Sequence, residues 1–146
     1  MEYRVVIDPP PHDLRGVHEL LASTYWSPRI RPDVVDRAIA NSVVAVALAS
    51  PEGGLAGFAR VVSDRATFAW LCDVVVVESH RGRGVASMMI RALDAHPDLQ
   101  GLRRWCLATR DAHGLYERHG YAPVAPNAWM ERKSPPALWQ APGGDA

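Results

Sequence analysis

The chain has 146 residues, 48% of them apolar, and its 16 Lys and Arg balance 16 Asp and Glu to a formal net charge of zero. That length supports one domain with a sizeable core, and the neutral balance gives no overall attraction to nucleic acid or to an anionic membrane surface. No uncharged apolar run is long enough to span a bilayer, and Met1-Glu2-Tyr3-Arg4 does not begin a secretion signal, so a cytoplasmic location is expected.

Residues 2–8 read as a first strand, stopped by Pro9-Pro10-Pro11. Asp13 can cap a helix over 14–25, in which Leu14, Val17, Leu20, Leu21 and Tyr25 recur at helical spacing. Pro32 opens a second, short helix that ends near Asn41. Three strands follow over 42–49, 55–63 and 67–77, joined by turn-rich segments, which predicts an antiparallel meander. Val74 to Val77 is apolar on both faces and reads as a central strand. A helix is expected from Val85 to about Ala95 and a strand over 104–108, parallel to 74–77 because a helix connects them. Thr109 or Asp111 can cap a short helix over 112–119, and 121–132 holds one or two last strands interrupted by Pro123 and Pro126. The tail 134–146, rich in Pro, Gly and Ala, is expected to be poorly ordered.

The most informative stretch is Ser79-His80-Arg81-Gly82-Arg83-Gly84-Val85-Ala86, which runs from the valine strand into a helix start. Free N–H groups at a helix start, glycines that let the backbone approach a ligand, and two arginines together make an anion site suited to a phosphate or pyrophosphate. A tight turn is the plain alternative. The dinucleotide-binding pattern is disfavoured because Ser87 stands at its third glycine, and the nucleotide-triphosphate loop because no lysine precedes Lys133. The pattern Arg81-x-x-Gly84-x-Ala86 resembles the acyl-CoA loop of the GNAT acetyltransferases. A second motif agrees: Thr109-x-x-Ala112-x-x-Leu115-Tyr116-x-x-x-Gly120-Tyr121 is similar to a family pattern that has Asn and Phe at its first and last positions. The order of elements over 2–132 also matches.

The resemblance implies a GNAT domain over 1–133 of α/β (α+β) class: a mixed sheet of about six to seven strands with an antiparallel meander, splayed central parallel strands and four helices. It implies transfer of an acetyl group from acetyl-CoA to a primary amine of a small molecule or peptide, directly in a ternary complex. Arg81, Gly82, Arg83, Gly84, Val85 and Ala86 would hold the pyrophosphate, the backbone of Val74 and Val76 the pantetheine arm and thioester, and Thr109 would stand beside that arm. Tyr116 would give its proton to the departing thiolate; as a helix residue it also serves simply as core. A homodimer is left open.

Asp73 abuts the valine run and is a candidate to hold the substrate ammonium and take its proton, directly or through water; pairing with Arg60 is the other reading. Tyr25, Trp26 and Trp70 are candidates to line the acceptor pocket, with Arg29 and Arg31 nearby to select a carboxylate, against ordinary packing and solvation. Cys72 and Cys106 read as buried free thiols, and no Cys or His spacing suggests a metal. Two other readings keep the loop: a non-catalytic acyl-CoA sensor, and a transferase for another acyl group.

Overall fold

Runs of β-branched and small apolar residues build a five-stranded sheet in the computed structural model, which describes residues 2–143. The strands are β1 (Tyr3–Ile7), β2 (Val43–Ala49), β3 (Gly54–Ser63), β4 (Phe68–Val76) and β5 (Arg104–Cys106), and they lie side by side in that order. The first four pair antiparallel, while β5 pairs parallel with β4. Four α-helices complete the fold: α1 (Val17–Ala22), α2 (Pro32–Ala40), α3 (Val85–Asp94) and α4 (His113–Glu117).

Every residue of β2 is buried, and its side chains divide between two cores by strand alternation. Val43, Ala45 and Ala47 join Met89, Ile90 and Leu93 of α3 on one face, with Tyr116 of α4 in the same cluster. Val44, Val46 and Leu48 meet Val17, Leu21 and Val35 of α1 and α2 on the other. The α3 face is so close that a Cβ built on Gly57 would lie 2.8 Å from Met89 Cε and 3.2 Å from Val85 Cγ1. Glycine in β3 therefore sets the depth at which α3 seats.

The meander, the central valine strand, the Pro32 helix and the parallel fifth strand match the expectations. Three details differ. Arg15 is extended and Gly16 left-handed at φ 86°, so the helix expected over 14–25 becomes a 3-10 turn at Pro11–Leu14 and a shorter α1, capped by Gly16 rather than Asp13. The sheet has five strands rather than six to seven, because 121–132 forms none; Pro123 and Pro126 lack the N–H groups a ladder needs. Beyond Ser134, Pro136–Leu138 makes a 3-10 turn, Gln140 bridges to Ile30 and the Ala141 N–H donates to the Arg29 carbonyl at 2.7 Å, while 144–146 lie outside the described residues.

Candidate active site

The site begins with a fault in β4. Phe58 pairs with Val75 and Arg60 with Cys72, so Asp73 and Val74 together oppose the single residue Ala59. Asp73 takes the left-handed conformation at φ 55°, tolerable for Asp and costly for a β-branched residue. This bulge shifts the alternation: Ala69 and Leu71 face α3 before it, Val74 and Val76 after it. It also bends the strand. The parallel ladder with β5 holds only from Phe68–Arg104 to Trp70–Cys106, and beyond that point β4 has no partner on this side.

The Val77 N–H donates to the Ala56 carbonyl at 2.8 Å, which turns Val77 toward β3. By alternation, the N–H groups of Val74 and Val76 face away from β3, into the opening. The Val76 carbonyl on that side accepts from Arg81 Nε at 3.2 Å, so Arg81 is folded back along the strand end.

At the end of β4 the chain passes through a 3-10 turn, Glu78–His80, into the glycine loop. Gly82 and Gly84 have φ of 77° and 79°, which favours glycine, and a Cβ built on either would meet nothing within 4 Å. The space above the loop is open for a ligand. Gly84 caps α3 without any side-chain hydrogen bond, and the first intrahelical acceptor, its carbonyl, serves the N–H of Met88. The N–H groups of Val85, Ala86 and Ser87 thus precede the helical ladder and point outward with the positive end of the helix dipole. Arg81 and Arg83 flank them and are exposed. These residues fit the pyrophosphate of an acyl-CoA.

Across the opening stands Tyr116, held in the α3-side core and packed edge-to-face on Tyr121 at 6.0 Å. Burial pushes its phenol up to about 12, with Tyr25 and Asp111 adding to the rise. Among the described residues its hydroxyl makes no hydrogen bond and no fully buried side-chain polar atom lacks a partner, so the hydroxyl reaches accessible space. A cavity of about 360 Å³ adjoins it, lined by Cys106, Leu107, Thr109 and Tyr116 among others. Thr109 Oγ1 accepts from the Ala112 N–H at 3.1 Å and so fixes the entry to α4. Burial likewise raises the Cys72 thiol to about 12, with Arg60 opposing and Asp73 reinforcing the rise, which makes it a poor nucleophile. Both cysteines are free, and no group of metal-ligating side chains occurs among the described residues.

The other side of the opening is walled by side chains that the tertiary structure gathers. Asp73 is committed on both oxygens: Oδ1 accepts from Trp26 Nε1 at 2.9 Å and Oδ2 from Arg60 Nε at 2.9 Å. The pairing with Arg60 is the other reading the sequence offered for Asp73, and the Trp26 bond ties the indole to the bulge. Tyr25 packs edge-to-face on Trp26 at 4.9 Å. Trp70 stands apart from this pair and stacks on Trp129 at 5.1 Å with an interplanar angle of 8°. Arg29 and Arg31 turn away, to the Gln140 side chain and the Leu138 carbonyl. Sequence reasoning missed two members of the wall: Trp129, and Arg110, whose guanidinium lies 3.7 Å over the Tyr25 ring. No periodicity marks either one; each lies in an irregular segment, and only the fold brings it to its aromatic partner.

Comparison with known proteins agrees with this geometry. A profile of the acetyltransferase (GNAT) domain matches residues 40–123, more than half of the chain. A crystal structure of a GNAT-family protein from Xanthomonas campestris pv. campestris is 44% identical, with 91% of this chain and 95% of that one covered at a TM-score of 0.81. An acetyltransferase from Clostridium acetobutylicum, solved with acetyl-CoA, shares the fold at 13% identity, with 90% and 96% covered and a TM-score of 0.68. The mycothiol acetyltransferase of Pseudarthrobacter chlorophenolicus is 39% identical over 71 residues, 48% of this chain and 22% of that protein, so the chain spans about a fifth of this curated relative's length. The glycine loop at the start of α3, the strand that parts from its neighbour and the matching profile all lead to one conclusion: the chain belongs to the GNAT acetyltransferase family.

Proposed function

We propose that the chain transfers an acetyl group from acetyl-CoA to a primary amine by direct attack in a ternary complex. The observation that carries this reading is the alignment of three features along one opening: the uncapped start of α3 at Gly84, the unpaired edge of β4 at Val74 and Val76, and the free hydroxyl of Tyr116. GNAT enzymes use acetyl-CoA, and the Clostridium relative was solved with it.

In this reading the loop N–H groups with Arg81 and Arg83 bind the pyrophosphate, and the edge of β4 pairs with the amides of the pantetheine arm as a further strand would. The Val76 N–H donates to the thioester oxygen and stabilises the negative charge that develops there when the amine attacks. As the C–S bond breaks, the thiolate takes the proton of Tyr116, and the proton that the attacking nitrogen sheds in becoming an amide returns through solvent to the phenolate. Burial raises the Tyr116 phenol to about 12, and desolvation of a thiolate leaving group beside it raises that group's affinity for a proton in the same direction. The amine enters from the Tyr25–Trp26 side and loses its ammonium proton to solvent there, because Asp73 is engaged by Trp26 and Arg60.

Isothermal titration of acetyl-CoA into the wild type and Gly84→Glu tests the loop. The glutamate is strained at φ 79° and places a carboxylate where the anion binds. We expect binding to the wild type and a loss of about 100-fold or more in the variant, the scale of one or two hydrogen bonds to a charged group. Equal affinities, with both proteins folded by circular dichroism, would sink the reading.

A further inference from the structure

Most arginines near the opening are spoken for. Arg60 is paired with Asp73, Arg29 with Gln140, and Arg31 with Asp33 and the Leu138 carbonyl, while Arg81 and Arg83 belong to the glycine loop. Arg110 is the exception on the acceptor side. It is exposed, its guanidinium carbon lies 3.7 Å from the centre of the Tyr25 ring, and among the described residues it has neither an ion pair nor a hydrogen bond. Stacking on an aromatic face leaves the N–H donors at the guanidinium edge free while restricting the side chain, so the charge is held ready for a planar anion. Of the nearby carboxylates, Asp73 is engaged by Trp26 and Arg60, and Asp111, next in the chain, makes no ion pair with Arg110 among the described residues.

Its position relates it to the chemistry. Tyr25, which carries Arg110, is close enough to Tyr116 to influence its phenol, and it packs on the Trp26 that Asp73 fixes over the bulge. Arg110 therefore stands on the Tyr25–Trp26 side of Tyr116, where the amine enters in the proposed reading.

We infer that Arg110, stacked on Tyr25, selects acceptors that carry an anionic group, a carboxylate or a phosphate, on the same molecule as the reactive amine. The inference rests on the acetyl-transfer reading and narrows its substrate class. A carboxylate would take two parallel N–H bonds from the guanidinium edge, with the amine directed toward Tyr116 and the thioester. A phosphate would be held the same way, and which of the two is natural is for the assay to decide.

The test uses matched amines with and without the anion: phenylalanine against phenethylamine, and glucosamine 6-phosphate against glucosamine. CoA release is followed with the wild type and Arg110→Gln, and each amine is titrated calorimetrically into the CoA-loaded protein, which reads binding without turnover. We expect at least one anionic member to be preferred over its neutral partner by about tenfold or more. Arg110→Gln should erase that preference, lowering kcat/KM for the anionic member about 10- to 100-fold, mainly through KM, and at least tenfold more than for the neutral member, with the affinity for acetyl-CoA retained. The inference is overturned if no anionic member binds or reacts better than its neutral partner, or if Arg110→Gln weakens both members alike. It is also overturned if the variant's loss falls on acetyl-CoA, which would place Arg110 on the thioester side. Failure of the wild type to bind acetyl-CoA would instead remove the transfer reading itself.

Discussion

On the α3 face, what the site offers a ligand is backbone: the N–H groups of Gly82 to Ser87, and those of Val74 and Val76, backed by the cluster of Val85, Met89, Leu93 and Tyr116. On the α1–α2 face it offers side chains: Tyr25 and Trp26, 47% and 39% exposed, the Trp70–Trp129 stack and the Arg110 cation. The two faces meet at the bulge, where Asp73 belongs to the strand by its backbone and to the wall by its carboxylate. The difference suggests a division of labour. In the proposed reading, a ligand with a fixed pyrophosphate and amide pattern is met by backbone that substitution cannot easily change, and the acceptor by exposed side chains that can.

Breaking the boundary at its chemical centre should have the largest effect. Tyr116→Phe keeps the ring in the α3-side core and removes only the hydroxyl. We expect kcat to fall about 10²- to 10⁴-fold with the dissociation constant for acetyl-CoA unchanged, measured by CoA release and calorimetry. An unaltered kcat would remove Tyr116 from the reaction.

A milder change on the side-chain wall should separate the two faces. Trp26→Phe keeps an aromatic ring but loses the N–H that reaches Asp73 at 2.9 Å. The acceptor KM should rise about tenfold as the ring loses its anchor, with acetyl-CoA affinity close to wild type and a modest fall in thermal stability, at most the scale of one hydrogen bond to a charged group. A matching loss of acetyl-CoA affinity would mean that the faces are not independent.

The smallest effect concerns stability in alkali. The Cys72 thiol rises from 9.0 to about 12 and the Tyr116 phenol from 10.0 to about 12, both chiefly through burial. Each group keeps its proton in the folded chain over a range where the unfolded chain has lost it. Stability should therefore be level below pH 9 and decline from pH 9 toward 12, as the folded state holds more protons than the unfolded one. Thermal midpoints across that range should fall less steeply in Cys72→Ala than in wild type, whatever the offset at pH 8. Parallel slopes would show that Cys72 does not contribute.

The α3 face was legible in the sequence because its signals are local. Positive φ demands glycine at 82 and 84, a helix must start after them, and an all-valine strand must precede them, so residues adjacent in the chain spell out the loop. Gly120 and the apolar positions of α4 placed Tyr116 by the same logic. The wall was legible only in part. Tyr25 and Trp26 were expected near the acceptor; Asp73 was read as a proton acceptor or a partner of Arg60 and holds both Arg60 and an indole, while Arg29 and Arg31, read beside the aromatic pair, turn to the 138–140 segment. Those outcomes depend on partners 47, 111 and 107 positions apart in the chain.

By itself the sequence determined the strand and helix order, the two apolar faces of the sheet, the glycine loop and the family. It could do so because alternation, caps and positive-φ positions are written within a few residues of one another. Only the tertiary structure decided where β4 bulges, that the sheet stops at five strands, that both oxygens of Asp73 are occupied, and that Arg110 lies unpaired over Tyr25. Each of these depends on which distant side chain arrives first at a shared donor, acceptor or ring face, and that is settled by packing rather than by neighbours in the chain.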